Sequence, residues 1–175
     1  MQPYPAHLVQ RLRLKDGTWV AIRPIRPEDA GIEQEFVRKL SDESRYNRFM
    51  DTVRELSPQM LSHFTRVDYD RHMALIVVTG QNEAETQIAV ARYVADDDRR
   101  RCEFAIVVAD DWQQKGLGIR LMQALMAAAR AAGMRVMYGD VLASNHKMLR
   151  LMDKMGFSVK FNEQDAHMMR AEIHL

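Results

Sequence analysis

The sequence predicts an α/β (α+β) fold, in which a mixed, mostly antiparallel central sheet of six or seven strands carries flanking helices. Helical segments come first, and three β-branched segments with short turns follow. The second half then alternates strand and helix and ends in two strands. Strands joined by short turns pair antiparallel, whereas a strand–helix–strand crossover adds a parallel pair. The 175 residues fit one domain over 1–175, with 1–17 as an N-terminal extension or a first strand.

The composition excludes several classes of function. Hydrophobic residues make up 47% and charged residues 28%, as in soluble globular proteins. A net charge of +1 gives no positive electrostatic field that would attract nucleic-acid phosphates. A single cysteine excludes a disulfide framework. Apolar runs such as 73–78 are far shorter than the roughly 20 residues that cross a bilayer. The first residues carry no apolar targeting segment. We therefore expect a cytoplasmic protein without nucleic-acid or membrane partners.

The first half of the chain predicts one strand and then three helices. The strand covers 18–25 after an Asp-Gly turn. The helices cover 28–40, 41–50 and 57–66. Pro27 suits a first helical turn, and Ser41 and Ser57 are typical N-caps for the second and third helices.

The middle of the chain predicts three antiparallel strands. They cover 73–79, 88–94 and 102–109. The first two are separated by Gly80 and the polar stretch to Glu85. The charged segment 96–101 forms the second turn.

The second half predicts a crossover helix, then strand, helix, strand and strand. Apolar residues recur with helical spacing up to Ala132, and Gly133 ends that helix as a C′ glycine. A strand over 136–142 and a helix over 145–155, closed by Gly156, come next. Strands over 157–161 and 168–173 complete the sheet.

The loop before the crossover helix carries the most informative motif. Residues 113–118 read Gln-Gln-Lys-Gly-Leu-Gly. Glycines let the backbone approach a ligand, and the helix N-terminus and Lys115 favour an anion such as a phosphate. No GxxxxGK[ST] loop occurs, and Leu121 stands where a dinucleotide fingerprint needs a third glycine. Taken alone, the motif also fits a glycine-rich helix start without a ligand.

Together with a second motif, this loop resembles the GNAT N-acetyltransferase superfamily. Gln-x-x-Gly-x-Gly is similar to its acyl-coenzyme A loop, and Asn145, Leu149 and 155–157 (Met-Gly-Phe) are similar to its later asparagine helix. The order of strands and helices agrees with a GNAT fold. Segments 40–49, 68–71 and 141–145 are most similar to the GNAT domain of Pat-type bacterial protein lysine acetyltransferases. Those enzymes acetylate a lysine in acyl-CoA synthetases, and many carry a large additional domain.

The resemblance implies acetyl-CoA as co-substrate and no metal. The strand backbone would pair with the pantetheine arm, the loop would hold the pyrophosphate, and Asn145 would hydrogen-bond the cofactor arm. The strand residues are Ile106, Val107 and Val108, and the loop residues are Gln113 and the amides of Lys115, Gly116, Leu117, Gly118 and Ile119. Val107 and Val108 also fit plain core positions, and Asn145 also fits a helix N-cap.

Glu103 is the predicted general base. Alternation puts it on the same strand face as Ala105 and Val107, where partial desolvation raises the pKa of a carboxyl. The position is similar to that of the strand glutamate that serves as base in Pat-type and histone acetyltransferases. Alternatively, Glu103 is a strand-end carboxylate paired with Arg92 or one of 99–101.

The sequence indicates more than one possible source of the proton for the leaving thiolate. Many GNAT enzymes have a tyrosine seven residues after the asparagine, and here that position is Met152. Tyr138 and Ser144 are the remaining donors, or the thiolate leaves unassisted, since a free thiol has a pKa of about 8.5.

The resemblance therefore implies transfer of an acetyl group to a primary amine by direct attack. The predicted acceptor is a protein lysine, for example in an acyl-CoA synthetase, and a homodimer is compatible with this. Segments 41–49 and 68–71 would face the acceptor, although the carboxylates of 68–71 also fit capping and surface ion pairs. The alternatives are a small-molecule amine acetyltransferase and a non-catalytic acyl-CoA-binding regulatory module.

Overall fold

An eight-stranded sheet is the framework of the structure, a computed structural model that describes residues 2–80 and 84–175. Its strand order is β1-β2-β3-β4-β5-β6-β8-β7, and β5 and β6 run parallel while the other neighbours run antiparallel. The strands are β1 (Gln10–Arg13), β2 (Trp19–Pro24), β3 (His72–Thr79), β4 (Thr86–Ala95), β5 (Arg101–Val108), β6 (Val136–Leu142), β7 (Ser158–Asn162) and β8 (Asp165–His174).

The mixed, mostly antiparallel sheet is confirmed, with one strand more than the six or seven predicted. The additional strand is β1, which pairs with β2 at the edge of the sheet. Its four residues are largely exposed, so they show no alternation of apolar and polar side chains. The predicted turn over 80–85 includes residues 81–83, which lie outside the described residues.

Five helices flank the sheet. They are α1 (Ala30–Lys39), α2 (Asp42–Phe49), α3 (Pro58–Thr65), α4 (Leu117–Ala131) and α5 (His146–Lys154). The predicted start at position 28 is two residues early, because Pro27–Asp29 form a 3-10 turn before α1. The predicted serine caps are present: Oγ of Ser41 accepts from the Ser44 N–H, and Oγ of Ser57 accepts from the Met60 N–H.

Apolar side chains fill both faces of the sheet. On β3, Leu75 and Val77 face the layer that contains α4, whereas Ala74 and Ile76 face the layer that contains α1 and α3. This alternation is the period-2 pattern of a central strand that is buried on both sides. None of the described helices is both long enough and apolar enough to cross a bilayer.

The parallel pair β5/β6 opens after a short contact. Arg101–Glu103 pair with Val136–Tyr138, whereas β6 continues alongside β8 through Leu142. Just past the last pair, the Phe104 ring lies against Gly139 and meets the Phe157 ring with centroids 5.5 Å apart. The two strands therefore part at Glu103 and leave the rest of β5 with an open edge.

Candidate active site

A large cleft lies where β5 and β6 part. Its volume is about 1360 Å³, and α2, β5, the loop before α4, α5 and the β7–β8 turn contribute to its walls. Pockets for small ligands commonly measure about 300–1,000 Å³, so this cleft has room for a large ligand and part of a second one.

The open edge of β5 presents backbone groups to the cleft. Two backbone hydrogen bonds show which residues of the β4–β5 pair bond to each other. The Ala109 N–H donates to Ile88 O, and the Asp96 N–H donates to Arg101 O. By alternation, the N–H and C=O of residues 104, 106 and 108 point away from β4. At position 108 the carbonyl accepts from Nε2 of Gln113 at 3.1 Å. The backbone of Ile106 therefore faces the cleft and can pair with an extended ligand arm as an added strand would.

The three predicted strand residues take different positions. Ile106, Val107 and Val108 all line the cleft. The backbone groups of Val107, however, point toward β4, and its side chain belongs to the core layer of α1 and α3. Val107 thus matches the plain core alternative. Ile106 presents both main-chain groups on the open side, whereas the carbonyl of Val108 is engaged by Gln113.

The glycine loop ends in a helix N-terminus that no side chain caps. Gln114 and Gly116 adopt left-handed backbone conformations with φ of 62° and 82°, and Gly116 is the N-cap of α4. The first N–H groups of a helix lack intrahelical partners, and the helix dipole favours an anion beside them. Gly116, Gly118 and Ile119 line the cleft, so these donors border the same space as the open edge of β5.

Two of the predicted loop residues do not line the cleft with their side chains. Lys115 forms an ion pair with Asp16 at 3.2 Å, and its ammonium lies 5.4 Å from the ring centre of Trp112. Leu117 is buried in the core. The predicted contribution of both is a backbone amide, which these side-chain positions leave unaffected.

Asn145 caps α5 and lines the cleft at the same time. Its Oδ1 accepts from the Met148 N–H at 3.3 Å. The amide NH₂ takes no part in this cap, so one side chain can serve both the helix and a ligand. The N-cap alternative is therefore present in the structure and does not conflict with a ligand contact.

A basic face of α5, not predicted from the sequence, also borders the cleft. Lys147, Arg150 and Lys154 all line the cleft, next to Gln113, whose Oε1 accepts from Nζ of Lys147 at 3.2 Å. Within the described ranges 2–80 and 84–175, none of these three cations forms an ion pair. Their spacing of three and four residues, which puts side chains on one helix face, was the available signal.

Glu103 lies at the point where β5 leaves β6. Burial raises the pKa of its carboxyl, and the neighbouring carboxylate of Asp140 adds to this, whereas the cations of Arg170 and Arg48 act in the opposite direction. Asp140 is two residues beyond Tyr138, the β6 partner of Glu103, so both carboxylates are on one face of the sheet. A carboxyl with a raised pKa in a cleft is suited to general base catalysis.

The structural alternative for Glu103 was an ion pair with an arginine. Arg92 instead pairs with Glu33 at 3.2 Å, and Arg101 pairs with Glu172 at 2.8 Å. In the part of the chain that the structure describes, the Glu103 carboxylate has no ion-pair partner within 4.0 Å. It is therefore free to accept a proton from a ligand.

The candidate general acids differ in their access to the cleft. Met152 is fully buried and has no proton to donate. The hydroxyl of Tyr138 donates to Oδ1 of Asp96 at 2.7 Å, and burial and this bond raise the pKa of Tyr138. Tyr138 is also absent from the cleft wall, whereas Ser144 is part of it.

Of the two predicted acceptor segments, only α2 contributes to the cleft. Ser41 and Ser44 donate from their hydroxyls to Oδ1 of Asp110 at 2.7 Å, which joins α2 to the loop before α4. In the 68–71 turn, Asp68 accepts from the backbone of its own turn and Asp70 pairs with Arg99, as the capping alternative describes. That turn does not border the cleft.

Carboxylates, histidines and the cysteine do not assemble into a candidate metal centre. Among the described residues, no group of three or more such side chains is arranged to hold an ion. The cleft offers a carboxylate that can accept a proton, and a helix N-terminus and basic side chains that can bind an anion.

A mixed sheet that parts at a parallel strand pair, with a helix N-terminus and a strand glutamate at the opening, defines an acyltransferase of the N-acetyltransferase class. The chain belongs to the acetyltransferase (GNAT) family, whose family model matches residues 35–157. It is an enzyme of that family.

Similar proteins support the assignment. An acetyltransferase of Pseudomonas aeruginosa is 36% identical over 144 residues, which cover 82% of this chain and 77% of that protein. The acetyltransferase Pat of Mycolicibacterium smegmatis is 31% identical over 146 residues, and these cover 83% of this chain but only 43% of Pat. The solved GNAT domain of S. lividans Pat has a TM-score of 0.89 at 29% identity and covers 99% of this chain and 100% of that domain. This confirms the predicted resemblance to the GNAT domain of Pat-type enzymes.

Proposed function

We propose that the protein is an acetyl-CoA-dependent N-acetyltransferase in which Glu103 accepts the proton of an attacking primary amine. The observation that carries the proposal is the position of Glu103. It stands where β5 leaves β6, in the same cleft as the uncapped N-terminus of α4. A base and an anion site at the two ends of one cleft are what this transfer requires.

The groups along the cleft match successive parts of the acetyl-CoA molecule. The pyrophosphate matches the first N–H groups of α4 with Gln113 beside them. The pantetheine amides match the backbone of Ile106 on the open edge of β5. The amide of Asn145 borders the same channel, and the basic face of α5 suits a further phosphate. This arrangement brings the thioester toward Glu103, at the opening between β5 and β6.

The transfer needs one bond to form and one to break. The amine nitrogen attacks the thioester carbon, Glu103 takes the nitrogen-bound proton, and the carbon–sulfur bond breaks to leave a thiolate. Met152 supplies no proton to that thiolate, so we propose that it leaves without a donor at this position. A thiol pKa of about 8.5 makes a thiolate an adequate leaving group near neutral pH.

For the acceptor, we propose a lysine of a protein. The support is the similarity to Pat of Mycolicibacterium smegmatis and to the GNAT domain of S. lividans Pat, which covers nearly the whole of this chain. The cleft volume of about 1360 Å³ leaves room for a lysine side chain beside the cofactor. A small-molecule amine is the alternative acceptor. A purely regulatory acyl-CoA-binding module does not require an unpaired carboxylate at the opening of the strands, so Glu103 argues against this alternative.

For the location, we propose the cytoplasm. The single buried Cys102 is in keeping with a reducing compartment.

A free-thiol release assay tests the proposal. Acetyl-CoA is offered with lysine-containing proteins, among them an acyl-CoA synthetase, and with small amines. We expect thiol release that depends on an acceptor and that falls sharply in Glu103→Gln. Glu35→Gln, which removes an exposed carboxylate of α1, is the matched control and should behave as wild type. Tight binding of acetyl-CoA without thiol release for any acceptor would refute the proposal.

A further inference from the structure

In the wall of the cleft lies an arginine that has no hydrogen-bond or ion-pair partner among the described residues. Arg48, in the last turn of α2, borders the cleft and is partly buried. Its guanidinium lies 4.9 Å from the ring centre of Phe49 and 5.6 Å from that of Phe64. Throughout residues 2–80 and 84–175, no hydrogen bond or ion pair within 4.0 Å engages it.

The other arginines buried on this side of the sheet do have partners. Arg23 pairs with Asp29 at 2.7 Å and with Glu85 at 2.7 Å. Arg92 pairs with Glu33 at 3.2 Å. Burying a cation without an anion costs free energy, so such groups are normally paired. Arg48 departs from that rule, and it does so at the edge of a ligand cleft.

Three charged groups act on Arg48 from a distance: the cation of Arg92 and the carboxylates of Glu33 and Glu103. Arg92 lies beyond Phe64, 4.3 Å from the ring centre, and the carboxylate of Glu33 is already engaged by Arg92 and by Gln87. Burial lowers the pKa of Arg48 to about 10, and the cation of Arg92 contributes. An anion that enters the cleft at this point would therefore meet a guanidinium that forms no ion pair at contact distance within the described residues.

The position of Arg48 determines which ligand brings that anion. The phosphates of the cofactor match the other end of the cleft, at α4 and α5. Arg48 is instead on the side of Glu103, with which it interacts electrostatically, and Asn47 of the same helix borders the cleft beside it. Glu103 and Arg48 both border the cleft, so an acceptor whose amine reaches Glu103 comes near Arg48. A bare ammonium group is repelled by Arg48, whereas an acceptor with a nearby carboxylate is attracted.

We propose that Arg48 binds a carboxylate that the acceptor carries beside its reacting amine. The inference rests on the proposed transferase function and specifies its acceptor. Guanidinium and carboxylate groups match in a planar, two-point geometry, so the contact orients the acceptor as well as binding it. The carboxylate has two possible sources, an acidic side chain next to a protein lysine or the α-carboxylate of an amino acid.

Matched pairs of acceptors test this inference. One pair is a lysine peptide flanked by glutamates and the same peptide flanked by glutamines. The other is an α-amino acid and its carboxamide. With acetyl-CoA saturating, we expect kcat/KM for the carboxylate member of one pair to exceed that of its neutral twin by about tenfold or more, the range of a charge-assisted hydrogen bond. The pair that shows the preference identifies the source of the carboxylate.

Variants of Arg48 test whether this side chain causes the preference for acceptors with a carboxylate. Arg48→Gln should abolish it mainly through KM for the acceptor, and Arg48→Lys should keep part of it, because the charge remains. Arg38→Gln removes an exposed arginine of α1 outside the cleft and should leave the preference unchanged. Thermal unfolding checks that Arg48→Gln is folded at the assay temperature, since the contacts of the guanidinium with Phe49 and Phe64 are lost. In the folded variant, loss of the preference together with unchanged KM for acetyl-CoA assigns the preference to Arg48.

The outcomes separate the two proposals. Thiol release with equal kcat/KM for both members of both pairs would overturn the role of Arg48 and leave the transferase function intact. A preference that persists in Arg48→Gln would overturn it as well. The absence of thiol release from wild-type protein with every amine would refute the transferase function itself.

Discussion

A Cβ atom at Gly139 would lie 2.7 Å from Cε1 of Phe104, closer than side chains pack in proteins. The aromatic ring therefore occupies the space that any other residue at 139 would need. Phe104 is the first residue of β5 beyond its pairing with β6, and Gly139 is the first on β6. The ring thus covers the core-side face of Gly139 at the opening. We conclude that glycine at 139 lets the Phe104 ring pack over β6 where the cleft begins.

Gly139→Ala should destabilise the fold. The ring of Phe104 would have to shift within a packed core, and overpacking of this kind costs about 1–3 kcal/mol. Urea unfolding measures the change. Gly31→Ala is the matched control, because Gly31 is in α1 and a Cβ atom there would meet nothing within 4 Å outside its own helix. Alanine at that position should therefore gain about 0.5–1 kcal/mol. Equal stability of both variants would show that the Phe104 ring does not fill the space at 139.

The features that the sequence predicted well depend on residues close together in the chain. The caps by Ser41, Ser57 and Asn145 each join residues three positions apart. The glycine loop and the strand alternation are equally local. Such signals need no knowledge of the tertiary structure, and they were sufficient for the order of elements and for the location of the cleft.

The features that were missed depend on distant residues or on weak periodicity. Lys115 forms an ion pair with Asp16, which is 99 positions earlier in the chain. The hydroxyl of Ser41 donates to Asp110, which is 69 positions later. No local pattern marks either pair. For residues 1–17 the sequence left an extension and a first strand as alternatives. Strand β1 is bound by backbone hydrogen bonds at an edge, so its side chains carry no burial signal that would decide between the two. The basic face of α5 differs, because its spacing was readable in the sequence.

Gly116→Ala should weaken the binding of acetyl-CoA. Its φ of 82° is costly for any residue with a Cβ, by about 1–2 kcal/mol, although the space around it is open. Relaxation of that strain would turn the first N–H groups of α4 away from the pyrophosphate. We expect a several-fold higher KM for acetyl-CoA together with lower stability. Gly133→Ala is the control, since Gly133 has a φ of 88° and open space at the other end of α4. It should lose similar stability with an unchanged KM, and an equal rise of KM in both would contradict the role of the loop.

Asn145 substitutions should separate its two roles. Asn145→Ala removes the cap of α5, which costs about 1 kcal/mol, and removes the amide that borders the cleft. Asn145→Ser keeps a capping oxygen but not the amide NH₂. Thermal unfolding should therefore show a loss only in the alanine variant, whereas both should raise the KM for acetyl-CoA. If serine preserves the KM as well as the stability, Asn145 acts on the cofactor only through the helix.

Arg150→Gln should raise the KM for acetyl-CoA in a salt-dependent way. Arg150 lies in the middle of the basic face of α5, and exposed charge pairs weaken as ionic strength rises. The difference from wild type should be several-fold at low salt and should narrow at high salt. Arg130→Gln, on the exposed side of α4, is the charge-matched control. With a donor that lacks the 3′-phosphate, wild type and Arg150→Gln should converge, and a persistent difference would place Arg150 beside another part of the cofactor.

The pH dependence of the rate should follow the charges around Glu103. A general base acts only when deprotonated, so kcat/KM should fall as the pH falls through the pKa of Glu103. Burial and Asp140 raise that pKa, which places the acidic limb at higher pH than for an ordinary glutamate. Asp140→Asn removes a like charge, lowers the pKa of Glu103 and should move the limb to lower pH. Arg170→Gln removes a cation and should move the acidic limb to higher pH.

Glu103→Gln should remove the acidic limb and reduce the rate by about 10²–10⁴-fold. Asp97→Asn, at the exposed tip of the β4–β5 turn, should leave the profile unchanged. A shift of the limb to higher pH in Asp140→Asn would mean that another group limits the rate.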